Sequence, residues 1–182
     1  MSMSKVYTSA VVIIPPENKW QPIQQIREKY DRNFNRWMPH ITLLYPFLPK
    51  IEYPKIESQF SEKCKEFEPI ECSLNKFRFF SHSHQNHTIW LDPEPSTPII
   101  NLQSEILKIS PYCNDVSNFK NGFKPHLSVG QIRGKKMLIE VIDNLQSSWK
   151  SLKFEVNKIF FISRENIKTS KFKIQKEFSF KK

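Results

Sequence analysis

Glycine is scarce in this sequence. The chain has three glycines in 182 residues, and all of them, Gly122, Gly130 and Gly134, fall within one short stretch. The phosphate-binding loops GxGxxG and GxxxxGKS/T therefore cannot form, which excludes a Rossmann dinucleotide site and a P-loop. The nucleotidyl-lysine motif KxDG is absent too, so the sequence does not indicate an ATP-dependent ligase.

Long apolar runs and paired cysteines are also missing. The longest apolar run covers residues 10–14, far below the roughly 20 residues of a membrane-spanning helix, and the start of the chain lacks the apolar block of a secretory signal. Cys64, Cys72 and Cys113 are odd in number and show no CxxC spacing. We therefore expect reduced, packed thiols in a soluble intracellular protein, cytoplasmic or nuclear.

Acidic residues are outnumbered by basic ones. Lys and Arg total 28 against 18 Asp and Glu, which gives a net charge of +10. A surface this basic concentrates polyanions, so nucleic acid, a nucleotide or an acidic membrane are candidate partners. Residues 153–182 carry nine of the basic residues and three Glu. This surplus fits either a polyanion-binding surface or an ordinary solvated strand face.

The chain does have enough apolar material for one core. Apolar residues make up 38% of it, with 15 Phe, and the length predicts a single domain, 1–182, rather than two. Nothing indicates an obligate dimer, so we expect a monomer. Apolar periodicity predicts strands and helices in alternation. The strands are expected at 6–14, 39–47, 70–80, 87–91, 154–163 and 171–180, and the helices near 20–31, 56–67, 97–109 and 138–149.

One pattern occurs twice. Residues 37–47 spell WMPHITLLYPF and residues 123–132 spell FKPHLSVGQI, so Pro, His, an apolar residue, a hydroxyl residue and an apolar residue recur in order with an offset of 86. Residues 75–79 (NKFRF) and 157–161 (NKIFF) recur with a similar offset of 82. The agreement predicts an internal repeat, with motif-bearing units around 37–91 and 123–180.

The spacing within each motif predicts a catalytic cleft. Residues two apart in a strand point to the same face, so His40 lies beside Thr42, and His126 beside Ser128, while the apolar residues between them face the core. A lone histidine would more often be a packed core residue. Two such strands facing each other would bring two imidazoles and two hydroxyls into one groove.

Displacement at a phosphodiester needs this set of groups. One imidazole can deprotonate the attacking oxygen and the other can protonate the leaving oxygen, because a pKa near 6.5 allows both states at neutral pH. Thr42 and Ser128 can donate hydrogen bonds to the phosphoryl oxygens where charge develops. The scheme demands no metal and no other cofactor.

HITL and HLSV resemble the paired H-x-S/T-x signatures of the 2H phosphoesterase superfamily, which includes 2′-5′ RNA ligase-like proteins and cyclic nucleotide phosphodiesterases. The resemblance spans nearly the whole chain. It implies a bilobal α+β fold with a pseudo-twofold, in which two antiparallel sheets backed by helices flank a central groove. It also implies His126 as base and His40 as acid, and an RNA or nucleotide substrate rather than a membrane.

We therefore expect a metal-independent phosphodiesterase that opens 2′,3′-cyclic phosphate ends to a phosphomonoester. Three alternatives stay open. The same site could remove 3′ nucleotides stepwise or cleave 2′-5′-linked oligoadenylates, as relatives in this superfamily do. A chain that binds RNA or nucleotides without turnover is the third, although both intact His-hydroxyl pairs favour catalysis.

Other candidate substrate contacts are less specific. Some relatives have Arg five residues after the second motif histidine, where this chain has Gln131, which could still hydrogen-bond substrate, and Arg133 is a candidate substitute for the cation. Tyr45, Phe80 and Trp90 could stack on a base. Aromatic residues in strands are more often core residues, which is the competing interpretation for each of the three.

The stretch SHSHQNH, with His82, His84 and His87, raises a metal hypothesis because His-x-His places two rings on one side of a strand. No carboxylate or thiolate accompanies these rings in the tract. A polar run between two predicted strands is also typical of an ordinary loop. We therefore expect no metal there, and a loop that borders the RNA groove remains an alternative.

Overall fold

The strands of the computed structural model, which describes residues 4–181, form two antiparallel sheets. The first sheet has the strand order β2-β1-β7-β8 and the second has the order β5-β4-β3-β6. The strands are β1 (Ser9–Ile13), β2 (Ile41–Leu44), β3 (Ile70–Ser81), β4 (Asn86–Glu94), β5 (Leu127–Arg133), β6 (Leu152–Val156), β7 (Lys158–Ser163) and β8 (Lys173–Ser179).

Helices back both sheets, each through one apolar face. They are α1 (Trp20–Tyr30), α2 (Glu57–Cys64), α3 (Ser96–Ile109) and α4 (Lys135–Ser148), with short 3₁₀ segments at Glu17–Lys19, Lys50–Lys55 and Asp115–Ser117. α2 and α3 pack on the first sheet, and α1 and α4 pack on the second. This confirms the predicted α+β fold. Within residues 4–181, no helix is long and apolar enough to cross a membrane.

The two sheets do not divide the chain at its middle. β3 and β4 follow the first motif but belong to the second sheet, while β7 and β8 follow the second motif but belong to the first sheet. Within the second sheet β3 pairs with β6, so that Ile70 lies opposite Val156 and Leu74 opposite Leu152. Ile70 and Leu152 are 82 positions apart, and so are Leu74 and Val156. Each member of one pair lies opposite a member of the other, so the register of this pairing has twofold symmetry.

The single strand expected at 154–163 is wrong, because the structure divides it into β6 and β7 on either side of Asn157. β6 is an edge strand of the second sheet and alternates buried with exposed residues. β7 lies between β1 and β8 in the first sheet and is almost wholly buried. The backbone therefore changes hydrogen-bonding partners at exposed Asn157.

The cysteines are packing residues, as predicted. Cys64, Cys72 and Cys113 are buried and unpaired. Burial raises the pKa of Cys64 and Cys72 to about 12, and that of Cys113 to about 11. All three are therefore protonated thiols near neutral pH, where they are poor nucleophiles.

One glycine brings a helix onto the strand that follows the second motif. A Cβ at Gly130 would overlap Cβ of Tyr30 and lie 3.0 Å from the Tyr30 carbonyl oxygen, so no larger residue fits without displacing the helix end. This close approach places the residues after α1, Asp31 and Arg32, beside Gln131 of β5.

Candidate active site

Both motif histidines stand one residue before an edge strand. His40 precedes β2 and His126 precedes β5, and these two strands contact each other where the sheets meet. The expected alternation is present along both motifs: Ile41, Leu43, Leu127 and Val129 are buried, whereas His40, Thr42, His126 and Ser128 are partly exposed. The two His-hydroxyl pairs therefore lie on the open side of their strands, next to one another.

The two imidazoles are held in the same way. Nδ1 of His40 lies 2.7 Å from the carbonyl oxygen of Met38, and Nδ1 of His126 lies 2.8 Å from that of Lys124. Since a carbonyl oxygen can only accept, each Nδ1 carries the hydrogen and donates it. In both rings Nε2 is then the nitrogen that gains and loses a proton, which is the arrangement that acid–base catalysis needs.

The aromatic surroundings of the two rings differ. Trp37 stacks on His40 with ring centroids 4.6 Å apart and an interplanar angle of 15°, and Phe172 stacks on Trp37 at 3.7 Å. His126 instead meets Phe80 nearly edge-on at 5.0 Å and 88°. Trp90 approaches the same ring at 5.9 Å and 63°.

Protein atoms surround most of each imidazole, although both residues are partly exposed, and the resulting loss of hydration sets the protonation of both rings. It is the main reason that the pKa of His40 falls to about 4. The hydrogen bond to Met38 opposes this shift, and the charge of Arg27, with that of His126 when it is protonated, lowers the pKa further. Burial also lowers the pKa of His126, with a smaller contribution from Lys124. Both rings are therefore neutral at neutral pH in the free protein, and a bound phosphate anion would raise both pKa values.

The two motif hydroxyls are available to a ligand. Within residues 4–181, the side chains of Thr42 and Ser128 make no hydrogen bond to protein atoms, although both are partly exposed beside the histidines. Each hydroxyl can donate one hydrogen bond. They can therefore bind non-bridging oxygens of a phosphoryl group held between the two imidazoles.

A buried arginine fixes the segment that carries the first motif. Arg27 is 2% exposed, and its guanidinium binds the carboxylate of Asp31 at 2.9 Å, the amide oxygen of Gln24 at 2.8 Å and the carbonyl oxygen of Trp37 at 3.0 Å. With its donors used in this way, Arg27 is a support for Trp37 and not a free phosphate ligand. Its charge nevertheless acts on His40.

The three aromatic candidates occupy different positions. The Tyr45 hydroxyl donates to the carbonyl oxygen of Tyr7 at 3.2 Å, and its ring meets Trp37 edge-on at 5.3 Å. Phe80 is partly exposed next to His126. Trp90 is 1% exposed and stacks on Phe80 at 4.8 Å, so it supports the site from below and presents no face to a base.

The structure does not bring Gln131 and Arg133 to the two histidines. Gln131 lies five residues along β5 from His126, or about 16 Å at the usual strand rise. Its amide nitrogen donates to Asp31 at 3.2 Å, and its amide oxygen accepts from the backbone N–H of Arg32 at 3.1 Å. Arg133 is exposed at the end of the same strand.

The histidines of the β3–β4 hairpin make local contacts. His82 shares a hydrogen bond with the Thr88 hydroxyl at 2.9 Å, and His87 shares one with the Ser81 hydroxyl at 3.0 Å. His84 is exposed. Among residues 4–181, no group of three His, Cys, Asp or Glu side chains is arranged to hold a metal ion.

Sequence reasoning missed three residues at the site. Trp37 had a signal, because an aromatic residue precedes the histidine by three positions in both motifs. Lys124 lies inside the second motif, is exposed, and places Nζ 5.4 Å from the centre of the Trp90 ring. Arg27 had no signal, since a single arginine in a helix is usually solvated.

The chain is similar to known proteins in sequence and in fold. The model of the 2′-5′ RNA ligase superfamily matches residues 15–168. A Bacillus pumilus (strain SAFR-032) protein, provisionally named a phosphoesterase, is 30% identical over 123 residues, which cover 66% of this chain and 68% of that protein. TT0787 of Thermus thermophilus has a TM-score of 0.64 at 16% identity, over 94% of this chain and 96% of that one. E. coli LigT in apo form has a TM-score of 0.62 at 13% identity, over 98% of this chain and 100% of that one.

Proposed function

We propose a specific reaction for this chain, which belongs to the 2′-5′ RNA ligase superfamily and is a phosphodiesterase of the 2H type. The reaction is the metal-independent hydrolysis of 2′,3′-cyclic phosphate ends of RNA or nucleotides. The observation that carries the proposal is the matched geometry of His40 and His126. Each ring donates from Nδ1 to a backbone carbonyl, and within residues 4–181 each Nε2 has no hydrogen-bond partner. Each histidine stands two residues before a motif hydroxyl on one of two edge strands that contact each other.

The proposed mechanism uses each imidazole once. Bound phosphate raises the pKa of both rings, so the ring that acts as acid takes up a proton on Nε2 from solvent when substrate binds. The other Nε2 takes a proton from water as the water oxygen attacks phosphorus, and the acid gives its Nε2 proton to the ribose oxygen as the bond from that oxygen to phosphorus breaks. Thr42 and Ser128 donate to the non-bridging oxygens, where negative charge increases. The product is a phosphomonoester, and proton exchange with solvent restores both rings.

The free protein favours particular roles for the two rings. Burial lowers the pKa of His40 to about 4, and it also lowers the pKa of His126. His40 therefore stays neutral down to acidic pH in the free protein, which suits the base, and this leaves His126 as the acid. This order is the reverse of the roles that the family resemblance implies.

A structural relative supports the substrate class. E. coli LigT has been solved with 3′-AMP, with a TM-score of 0.63 to this chain, and also with phosphate. A ligand that carries a phosphate on its ribose is the class that this proposal requires. The basic surface of the chain suits the same class, since it attracts polyanions.

The test is ring opening in EDTA. The protein is incubated with a short RNA that ends in a 2′,3′-cyclic phosphate, and 2′-phosphate products are resolved from 3′-phosphate products. We expect opening by the wild type, none by His40→Ala or His126→Ala, and full activity for His84→Ala, a matched exposed histidine in the β3–β4 hairpin. Shortening of the RNA without ring opening would replace this proposal by an exonuclease.

A further inference from the structure

A polar pocket of about 500 Å³ lies at the far end of β5 from His126. None of the residues that line it is acidic. They include two arginines, two hairpin histidines and three uncharged polar residues: Arg32, Arg133, His82, His87, Asn86, Thr88 and Gln131. The hairpin tract that the sequence singled out thus contributes to a basic pocket that the proposed chemistry does not use.

This pocket opens on the same face of the second sheet as the catalytic pair. Residues directly opposite in an antiparallel pair point to one face, and Trp90 lies opposite Ser128 while Thr88 lies opposite Gln131. Thr88 and Trp90 are two residues apart in β4 and point to one face, so their partners Gln131 and Ser128 point to that face too. Gln131 and Ser128 are three residues apart, whereas residues on one face of a regular strand are an even number apart. The register shift between Ile89 and Trp90 accounts for the extra residue.

Phe80 lies between His126 and the pocket. Its ring contacts His126 at 5.0 Å, and in the β3–β4 pairing it lies opposite Thr88, which lines the pocket. The ring is partly exposed. A continuous path therefore leads from the catalytic histidine over an aromatic ring to the two arginines, and a nucleotide base can stack on such a ring.

The two arginines have free guanidinium groups. Within the described residues, Arg27 and Arg78 are paired with carboxylates, whereas the guanidiniums of Arg32 and Arg133 have no hydrogen bond or ion pair. Asp31, which precedes Arg32 and accepts a hydrogen bond from Gln131, is neutralised by Arg27. The bond from the Arg32 backbone N–H to Gln131 fixes the base of this side chain over β5.

We infer that the pocket binds a second phosphate of the RNA chain, upstream of the cyclic end. A guanidinium fork matches a phosphate group, and the pocket lies about 16 to 23 Å along β5 from His126, too far to hold the phosphate that reacts. The inference rests on the proposed function. It makes the substrate an oligonucleotide rather than a single nucleotide.

The test compares substrate lengths. kcat/KM for ring opening is measured with a nucleoside 2′,3′-cyclic phosphate and with a series of oligonucleotides that end in the same group. We expect wild type to prefer the longer substrates. Arg32→Gln and Arg133→Gln should each lower the ratio of oligonucleotide to nucleotide kcat/KM about tenfold, mainly through KM, while Lys168→Gln, an exposed cation beside the first sheet, should not. An unchanged ratio in both arginine variants would overturn the inference.

A second readout separates this inference from the proposed reaction. Binding of an unreactive oligonucleotide with a 3′-phosphate is followed by fluorescence anisotropy at several salt concentrations. Loss of one phosphate contact should reduce the salt dependence, log K against log salt, by about 0.7. Weaker binding by the arginine variants without any ring opening by wild type would support the pocket and reject the reaction. Equal binding by wild type and variants would reject the pocket, whatever the turnover.

Discussion

The two motifs share their sequence and their hydrogen-bond geometry, but not their surroundings. Trp37 lies three residues before His40 and stacks on it, whereas Phe123, at the matching position of the second motif, packs against the main core. His126 receives its aromatic contacts from β3 and β4 instead, through Phe80 and Trp90. The repeated motif therefore fixes where each imidazole lies, and the non-repeated surroundings set how readily it is protonated.

The largest expected effect separates the roles of the two rings. Loss of either imidazole should lower kcat/KM on a cyclic phosphate by roughly 10²–10⁴-fold. A p-nitrophenyl phosphodiester needs no acid, because its leaving group departs unprotonated. His126→Ala should therefore retain most of its activity on that ester, and His40→Ala should lose it. The opposite pattern would assign the roles as the family resemblance implies.

The next effect tests the support of the first motif. Arg27→Ala leaves the carboxylate of Asp31 buried without its partner, which costs roughly 3–5 kcal/mol of unfolding free energy, and releases the carbonyl of Trp37. Urea denaturation measures the loss. Lys65→Ala, which removes an exposed ion pair with Glu62, is the control and should cost less than about 1 kcal/mol. Equal losses would contradict the role given to Arg27.

A smaller effect tests the support of the second motif. Gly130→Ala forces the end of α1 away from β5, because the new Cβ would meet Tyr30. Such overpacking costs about 1–3 kcal/mol. The displacement should also break the hydrogen bonds of Gln131 to Asp31 and Arg32. NMR would report this as shifted crosspeaks of the Gln131 side-chain amide. An unshifted amide together with unchanged stability would contradict the tight fit.

The smallest effect concerns the pKa of His40. Trp37→Leu exposes this ring, so its pKa should rise from about 4 towards 6.5, as followed by NMR titration, whereas Phe123→Leu should leave that of His126 in place. Because the pKa of His40 is lowered by folding, its contribution to stability is present above pH 6.5 and is lost as the pH falls towards 4. A wild-type stability that stays flat over this range would contradict the assignment.

Sequence patterns predicted the parts of this molecule that depend on strand geometry. The alternation of His40, Ile41, Thr42 and Leu43 identified which side chains face the core, since a strand has a period of two. The change of sheet at Asn157 was not predictable in the same way, because it depends on which strands pair and not on local apolar pattern.

Contacts between distant residues were also beyond the sequence. The bond between Gln131 and Asp31 joins positions a hundred residues apart, and no spacing rule relates them. The stacking of Trp37 on His40 depends on the carbonyl that Arg27 holds. The pocket of Arg32 and Arg133 is a further example. It forms because α1 reaches β5 at Gly130, a contact that only the three-dimensional packing reveals.

The central claim is that His40 and His126 act as one acid–base pair. The most direct test is the pH dependence of kcat/KM for opening a cyclic phosphate, in EDTA, between about pH 3 and 9. We expect a bell-shaped profile for wild type, with limbs that follow the pKa of His40, about 4, and the lowered pKa of His126. Turnover should be abolished in either alanine variant. A profile with a single limb, or turnover that survives the loss of either imidazole, would contradict it.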